Sequence, residues 1–403
     1  MKILTFTNLF PSVARPRHGV FVENRLQQFC RRHPDAQVRV VAPVPWFPLK
    51  HRVFGAYSEF AKVEREADRG WALASYPRYP VIPKIGMTIA PWLMARACYA
   101  PLRKIIADGF DFDVLDAHYL YPDGVAAMML AKRLGKPLVC TARGTDLTVI
   151  PGFTGPRKMI GRAVESCDTV ITVCQALKDE IERLGFRPNK IEVLRNGVDL
   201  QLFRPPDDRE AVRRDLGMKG FSILSVGKLD ENKGHHLVIE ALRKLTDVTL
   251  LIAGSGPRGQ QLEKQAADAG IADRVRFLGT VGHSKLPAYY GGADISLLAS
   301  ATEGWANVLL ESMACGTPVV ATRIWGTPEV VRSPAAGRLI ERTPEDIANG
   351  IRALQQDMPD RAATRAYAEE FSWDETSDRL YEIFRRIIGE KFAESPATEA
   401  PTH

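Results

Sequence analysis

Short apolar runs bounded by turn residues recur along the first half of the chain, and segments of helical periodicity lie between them. Buried parallel strands are predicted at residues 2–7, 37–42, 114–117, 137–141 and 169–173. Helices are predicted at 20–32, 124–134 and 175–184. Because strands alternate with helices, the pattern indicates an α/β fold with a parallel sheet.

The same alternation begins again in the second half, with strands predicted at 222–226, 248–253, 274–278, 295–298 and 317–321. Between the halves, turn residues, a proline pair and a charge cluster interrupt the pattern at 196–209 (NGVDLQLFRPPDDR). We therefore predict two doubly wound domains, at 1–198 and 199–372. A helix at 373–388 is predicted to pack back on the first domain, and residues 389–403 to form a disordered tail.

Open parallel sheets bind their ligands beyond the carboxyl ends of the strands. Two such sheets facing each other would place a site for two substrates in the cleft between them. We therefore expect the loops at these strand ends to carry the chemistry, and the architecture favours transfer of a group from one molecule to another.

At 403 residues, with 45% hydrophobic and 25% charged residues, the chain has the composition of a globular protein. Its six cysteines are scattered without a C-x-x-C pair, which argues against a zinc site or a disulfide framework and favours a reducing cytoplasm. The first residues resemble a strand rather than a signal peptide. Charged residues interrupt the longest apolar stretch, 81–106, so no membrane span is expected.

Residues 81–106 combine apolar side chains such as Met87 and Trp92 with basic neighbours. This pattern predicts either an amphipathic element that touches lipid or a lipid-borne substrate, or an ordinary helix packed on the core. Charge is also uneven, since residues 1–200 hold 29 Lys and Arg against 19 Asp and Glu. A basic first half favours an anionic partner. Charge alone does not decide whether that partner is nucleic acid, phospholipid headgroups or a diphosphate-bearing molecule.

The most informative run is EGWANVLLESMACGTP at 303–318, in which Glu303 and Glu311 flank a turn and the start of an apolar helix. A helix beginning near Asn307 would offer free backbone N–H groups to a diphosphate. Glu303 would then accept hydrogen bonds from sugar hydroxyls, and Glu311 would hold a ribose diol. The alternative is a solvated helix with ordinary surface glutamates. The three free N–H groups expected at the phosphates are those of Asn307, Val308 and Leu309, and Gly304 is also expected to contact the donor.

Two further loops follow strands of the second half. In VGKLDENKG (226–234), Lys228 and Lys233 would neutralise a leaving diphosphate without a metal ion, unless this is only a solvated charged loop. In GSGPRG (254–259), Gly254 and Gly256 match G-x-G-x-x-G, but no acidic residue follows the next strand to hold a ribose hydroxyl. We interpret this run as a tight turn beside a nucleotide.

In the first half, Gly19 (RHGVFVEN, 17–24) lies between a strand and a helix, where it either permits close approach to a ligand or simply starts the helix. His118, at a strand end in DAHYLYPDG (116–124), would bind a substrate hydroxyl or carry a proton, or be structural. Arg143 and Asp146 lie at another strand end in TARGTD (141–146). Asp146 and Tyr119 are expected to bind the acceptor. The alternative for Asp146 is that it caps a helix.

The whole pattern resembles the family 4 retaining glycosyltransferases of the GT-B fold, with two Rossmann-like domains. The resemblance is carried by VGKLDENKG, GSGP, FLGTV (277–281) and EGWANVLLESMACGTPVVAT. The first half (FTNLFPSVARPRHGVFVENR, DAHYLYPDG, TARGTD, ITVCQALKD, LRNGVD) more narrowly resembles the teichuronic acid biosynthesis glycosyltransferase group. Carried over, the family pattern implies that Lys228 and Lys233 contact the donor diphosphate, Glu303 the donor sugar and Glu311 the nucleotide ribose. Gly19 would match a glycine loop near the phosphates.

Two departures from the family pattern affect the site. Family members usually carry Arg where Lys228 stands, and commonly a His-Gly pair where this chain has Arg143 and Gly144. Because a guanidinium is not a base at neutral pH, Arg143 would instead bind a phosphate or an acidic sugar. His118 is then the better candidate for a proton role.

The sequence therefore predicts a metal-independent retaining enzyme that moves a sugar from a nucleoside diphosphate sugar, with UDP expected, to a glycan or lipid-linked acceptor of surface polysaccharide. No cofactor and no nucleic acid partner are expected. Segments 46–52 and 81–106 would bind the acceptor and the inner face of the membrane. The alternatives are a sugar-nucleotide epimerase of the same fold and, from the charge alone, a non-enzymatic polyanion-binding protein.

Overall fold

The computed structural model describes residues 1–46, 59–81 and 86–394. Most of the predicted acceptor segment 46–52 lies outside the described residues. The chain forms two compact units, one of residues 1–195 joined by the chain from Asp374 onward, and one of Asn196–Trp373.

The first unit is built on an eight-stranded sheet in the order β10-β9-β8-β7-β1-β2-β5-β4, parallel except for the β4–β5 pair. Strands β3 and β6 form a separate parallel pair. The strands are β1 (Lys2–Phe6), β2 (Gln37–Val41), β3 (Val44–Trp46), β4 (Glu66–Asp68), β5 (Leu73–Ser75), β6 (Arg78–Pro80), β7 (Val114–His118), β8 (Leu138–Ala142), β9 (Thr169–Thr172) and β10 (Ile191–Val193). Strands buried on both faces appear in sequence as unbroken apolar runs, which is why the central ones were predictable.

Helices connect these strands and cover the sheet. They are α1 (Val20–Arg32), α2 (Ala90–Ala107), α3 (Val125–Leu134), α4 (Thr145–Thr148), α5 (Thr154–Ser166) and α6 (Gln175–Arg183). Short turns of other helical type lie at Leu120–Gly124 and Ile150–Gly152. The predicted bounds of α1 agree with those observed. Its buried stripe of Val22, Arg25, Leu26 and Phe29 follows the helical period and faces the core.

The second unit contains a six-stranded parallel sheet in the order β13-β12-β11-β14-β15-β16. Its strands are β11 (Phe221–Val226), β12 (Val248–Ala253), β13 (Val275–Gly279), β14 (Ile295–Leu298), β15 (Val319–Thr322) and β16 (Gly337–Ile340). Its helices are α7 (Arg209–Asp215), α8 (His235–Leu242), α9 (Gly259–Asp268), α10 (Leu286–Gly292), α11 (Asn307–Ala314), α12 (Thr327–Val330), α13 (Pro344–Gln356) and α14 (Arg361–Glu369). Short 3-10 turns lie at Ala272–Arg274 and His283–Lys285.

The last helix, α15 (Trp373–Glu394), packs against α1 of the first unit. Phe384 meets Phe29 edge to face with ring centroids 5.9 Å apart, and Tyr381 donates a hydrogen bond to Asp35 at 2.7 Å. The helix continues through Gly389, so the prediction that residues 389–394 are a disordered tail is wrong. Four of the five residues in EKFAE after Gly389 are good helix formers, which outweigh a single glycine.

The α/β architecture with parallel sheets in two units confirms the predicted fold class. Sequence patterning missed the three-residue strands β3, β4, β5, β6 and β10, because three residues carry too little periodicity to be recognised. Among the residues that the structure describes, no helix combines the length and apolar character needed to cross a bilayer.

Candidate active site

The loops that follow β11 and β14 are tied together at the carboxyl edge of the second sheet. The side chain of Asn232 accepts hydrogen bonds from the backbone N–H of Thr302 at 3.0 Å and from its hydroxyl at 2.9 Å, and donates to its carbonyl at 3.1 Å. Gly234 has φ of 69°, and a Cβ there would lie 2.1 Å from the carbonyl oxygen of Ala299. This approach needs glycine, so the two loops share one rigid arrangement.

Lys233 and Glu303 meet where these loops join. The ammonium of Lys233 contacts Oε1 of Glu303, and the hydroxyl of Ser300 donates to the same oxygen at 2.6 Å. The side chains are 22% and 13% exposed, respectively, so both reach solvent. Both contacts use Oε1, and within the described residues no hydrogen bond occupies Oε2 of Glu303. A ligand hydroxyl can therefore reach one carboxylate oxygen beside a fixed ammonium.

Lys228 lies in the same loop as Lys233 but is more open. Its side chain is 66% exposed, with Nζ 3.4 Å from Asp230. The glycine turn after β12 packs directly beneath this loop, since a Cβ on Gly254 would lie 1.8 Å from the Gly227 oxygen and one on Gly256 would lie 2.4 Å from the Leu229 oxygen. Both glycines are thus required by the protein's own packing, and their contact with a nucleotide stays a prediction.

Helix α11 begins at Asn307, where the sequence predicted its start, and no side chain caps it. The expectation of three free N–H groups needs correction. The Asn307 N–H donates to the Trp305 carbonyl at 3.1 Å, and the Leu309 N–H donates to the Ala306 carbonyl at 3.0 Å. These bonds arise because the chain tightens into the first turn. Among the described residues the N–H of Val308 has no such partner, and Gly304 lies half-buried in the turn before the helix.

Glu311 belongs to a second cluster at this edge. It accepts a hydrogen bond from the hydroxyl of Tyr290 at 3.0 Å, and its other oxygen lies 3.6 Å from Nε2 of His283. The Phe203 ring packs edge to face on His283 with centroids 5.1 Å apart. The nearby carboxylate of Glu311 raises the pKa of His283 above its usual value. Sequence reasoning missed His283, although its position just after β13 places it at the ligand-binding edge.

In the first unit, His118 and Arg143 lie at the ends of the adjacent strands β7 and β8. The Arg143 guanidinium donates to Nδ1 of His118 at 2.6 Å, and Nε2 of His118 lies 3.0 Å from Oδ2 of Asp116. A guanidinium has no lone pair to offer, so Nδ1 is the acceptor and Nε2 carries the proton. Burial lowers the pKa of His118 to about 4, against the opposing effect of Asp116.

This arrangement corrects the expectation that His118 faces a ligand. The ring is fully buried, its Nδ1 lone pair is taken up by Arg143 and its Nε2 lies beside the carboxylate of Asp116, so the ring is packed inside the first unit rather than open to a ligand. It instead holds the side chain of Arg143. Arg25 of α1 is buried with no hydrogen-bond partner for its guanidinium among the described residues. Burial works to raise the pKa of Asp116, but His118 and, to a smaller extent, Arg25 outweigh it and the pKa is lowered.

Asp146 is fully buried and organises the loops around it. It accepts hydrogen bonds from the backbone N–H groups of Gly144 at 2.7 Å, Leu120 at 2.8 Å and Arg143 at 3.1 Å. Its carboxylate therefore serves the start of α4, the structural alternative, rather than an acceptor. Tyr119 remains half-buried, with φ of 82°, a strained backbone value for a tyrosine. Acceptor binding by Tyr119 stays a prediction.

Gly19 precedes α1 with φ of 74°, and a Cβ there would lie 2.1 Å from the Leu9 oxygen. The close backbone approach is to the protein's own loop after β1, so the helix-start alternative accounts for this glycine. In the part of the chain that the structure describes, no group of three or more His, Cys, Asp or Glu side chains is arranged to hold a metal ion. Metal independence remains a prediction.

Two family models match the chain, "Glycosyltransferase Family 4" at residues 22–202 and "Glycosyl transferases group 1" at residues 208–371. A D-inositol 3-phosphate glycosyltransferase of Catenulispora acidiphila is 32% identical over 307 residues, which cover 69% of this chain and 73% of that protein. The enzyme of the same name from Mycobacterium tuberculosis is 31% identical over a match that covers 70% of this chain and 63% of its own length.

Solved structures share the architecture over nearly the whole chain. Sucrose-phosphate synthase from Thermosynechococcus elongatus superposes with a TM-score of 0.78 at 18% identity, covering 98% of this chain and 99% of that one. Anabaena HepE in complex with UDP superposes with a TM-score of 0.72 at 21% identity, covering 96% and 100%. Because the sequence identities to these structures are low, the structural similarity shows a shared fold and no more. Taken with the family models and the Catenulispora relative, it establishes that this chain belongs to the family 4 glycosyltransferases and has the GT-B fold.

Proposed function

We propose that this enzyme moves a sugar from a nucleoside diphosphate sugar, with UDP as the expected nucleotide, to a glycan or lipid-linked acceptor of a surface polysaccharide. The anomeric configuration is retained and no metal ion takes part. The observation that carries the proposal is the contact of Lys233 with Glu303 at the sheet edge. One group there is cationic and the other offers a free oxygen to hydroxyls, which suits a sugar diphosphate.

The chemistry follows from these positions. As the bond between the anomeric carbon and the diphosphate oxygen breaks, negative charge grows on the diphosphate. We expect Lys233, Lys228 and the N–H of Val308 to stabilise that charge, and Glu303 to hold the sugar by its hydroxyls. The acceptor oxygen bonds to the anomeric carbon from the same face, and its proton passes to the departing phosphate oxygen. This front-face route is the path that the family resemblance implies.

The comparisons support a uridine donor and leave two acceptor classes. HepE structures contain UDP and UDP-glucose. The relatives named for D-inositol 3-phosphate point to a small phosphorylated polyol, whereas the narrower resemblance to teichuronic acid enzymes points to a growing glycan. A guanidinium binds both phosphate and carboxylate groups, so the prediction that Arg143 contacts the acceptor does not choose between the two classes. We favour the glycan or its lipid-linked precursor, made at the inner face of the membrane.

A thermal shift experiment tests the donor site. The protein is melted in EDTA with UDP, GDP, ADP, NAD or duplex DNA, since a ligand at 100 times its dissociation constant adds about 2.7 kcal/mol of stability. We expect a shift with UDP. A shift with NAD or DNA alone would overturn the proposal. Release of UDP from UDP-sugars that depends on added acceptor then separates a transferase from an epimerase, which needs no acceptor.

A further inference from the structure

Five of the large apolar side chains that the structure leaves exposed fall in two short segments of the first unit. Met87, Ile89 and Trp92 lie at the start of α2, and Val149 and Phe153 lie between α4 and α5. Trp92 is 53% exposed and Phe153 is 51% exposed. We call these five residues the apolar tip.

The two segments adjoin each other. A Cβ on Gly155, two residues after Phe153, would lie 2.9 Å from the methyl carbon of Thr88, between Met87 and Ile89. Helix α2 is meanwhile anchored by its opposite face, where Met94, Cys98 and Leu102 are buried. The fold therefore does not need the apolar tip for its own core. A contiguous exposed apolar surface of this kind marks an interaction site.

The helices that carry the apolar tip are basic. No acidic residue occurs between positions 86 and 107, and Glu165 is the one acidic residue of α5. On α2 the exposed residues Trp92, Arg96 and Arg103 follow one another at helical spacing, with the Arg96 guanidinium 5.7 Å from the Trp92 ring centre. On α5, Arg157, Lys158 and Arg162 are exposed. Exposed basic side chains thus outnumber acidic ones on the two helices next to the apolar tip.

We propose that the apolar tip docks this enzyme on a bilayer that contains anionic phospholipid. Tryptophan prefers the boundary between headgroups and acyl chains, and the smaller apolar side chains insert beside it. The arginines and lysine around the tip lie where anionic headgroups would meet them. A protein partner would require an acidic face of matching shape, whereas a bilayer satisfies both the apolar and the basic character of this surface without such a fit.

The inference adds a docking surface to the proposed function and rests on it only for the idea that the acceptor is lipid-linked. Vesicle flotation of the full chain tests it without donor or acceptor. Wild-type protein should float with mixed phosphatidylcholine and phosphatidylglycerol vesicles, and floating should weaken with pure phosphatidylcholine or with added salt. The double variant Trp92→Ser, Phe153→Ser should lose at least about tenfold in partition.

Met358→Ser is the matched control, because Met358 is a 39% exposed apolar residue of the second unit. It should float like wild type, and thermal melting should show that all variants are folded. Flotation that is absent with anionic vesicles, or unchanged in the double variant, overturns the docking proposal. Transfer from UDP-sugar to a short soluble acceptor by the wild-type protein tests the proposed function separately. If the wild-type protein floats with the vesicles but transfers no sugar, the proposed function is wrong and the docking proposal stands.

Discussion

Lys233 and Glu303 stand 70 positions apart in sequence, yet the ammonium of one contacts a carboxylate oxygen of the other at the carboxyl edge of the second sheet. The bridge between Asn232 and Thr302 fixes the loops that carry them. A cation and a carboxylate held in this way form a site before any donor arrives, which reduces the reorganisation that catalysis requires.

The first prediction concerns that pair. Lys233→Met should lower kcat with a UDP-sugar by about 100- to 1,000-fold, because the charge that develops on the leaving diphosphate loses a fixed cation. Glu303→Gln should lower turnover as well, since the amide cannot keep both Lys233 and a sugar hydroxyl as donors. Steady-state kinetics of UDP release measures both effects.

Lys264→Met provides the control, since Lys264 is an exposed lysine of the same unit whose ammonium pairs with Asp268 four residues later. It should leave kcat unchanged. Equal activity of Lys233→Met and Lys264→Met would remove Lys233 from the reaction.

The second prediction follows from the contact of His283 with Glu311. The nearby carboxylate of Glu311 raises the pKa of His283, which favours the imidazolium form. If the ribose hydroxyls of the nucleotide bind Glu311 in place of His283, the pKa of His283 falls and the imidazolium releases a proton. UDP affinity should then increase as pH rises above about 6.5, the reference pKa of histidine.

Titration calorimetry in buffers of different ionisation enthalpy would count the proton released. His283→Gln should abolish the release while keeping a polar side chain at the position. Proton uptake on UDP binding, or release that survives His283→Gln, would show that Glu311 does not serve the ribose.

Two strands of the second sheet show which parts of the fold the hydrophobic pattern can predict. Strand β12 (Val248–Ala253) was predicted to the residue because its apolar run is buried on both faces. Strand β16 (Gly337–Ile340) was missed, since glycine and an exposed arginine break its apolar character. Parallel strands also bring their following loops to one edge, which is why Lys233 and Glu303 could be expected near each other from their positions after two strands.

The pairings within the site were harder to predict. Nothing in the local sequence indicates that Tyr290 donates to Glu311, or that Arg143 occupies the lone pair of His118. Such contacts depend on side-chain directions set by distant packing. The position of His118 at a strand end was predicted correctly, but its burial was not predicted. A strand end in the sequence does not show how many residues from other segments pack over it.

The third prediction uses that burial. Burial lowers the pKa of His118 to about 4, so the folded protein keeps it neutral where the unfolded chain, with a pKa of about 6.5, binds a proton. The unfolded state thus binds more protons between about pH 6.5 and 4, and stability should fall as pH falls through this range. Urea unfolding at a series of pH values measures the slope.

His118→Asn places an amide oxygen near the position of Nδ1 and should still accept from Arg143, while reducing the slope. A slope that is the same in His118→Asn and wild type would mean that His118 is protonated in the folded protein. The pH–rate profile should likewise show no ionisation from His118 between pH 5 and 8, as judged from its lowered pKa of about 4.

The fourth prediction concerns α15. Phe384 is 1% exposed and packs on Phe29 within the first unit. Phe384→Ala should cost about 3 to 5 kcal/mol through lost burial and the cavity left behind. Hydrogen exchange should quicken in β1 and β2 and remain unchanged in β11 and β12, because the helix belongs to the first unit. The exposed neighbour Arg385 gives the control variant Arg385→Ala, and uniform loss of protection in both units would contradict the assignment.

The fifth prediction compares two glycines with the same backbone angle. Gly234 and Gly270 both have φ of 69°, but a Cβ on Gly234 would lie 2.1 Å from the Ala299 oxygen, whereas a Cβ on Gly270 would meet nothing within 4 Å. Gly270→Ala should therefore cost about 1 kcal/mol, the strain of a left-handed alanine alone. Gly234→Ala should cost about 3 kcal/mol or more, because the loops must also separate. Separation would pull Lys233 from Glu303, so UDP should stabilise Gly270→Ala as it does wild type and stabilise Gly234→Ala much less. Equal losses of stability and of UDP response in the two variants would mean that the loop contact adds nothing to the effect of the backbone angle. The contact would then have no part in holding the donor site together.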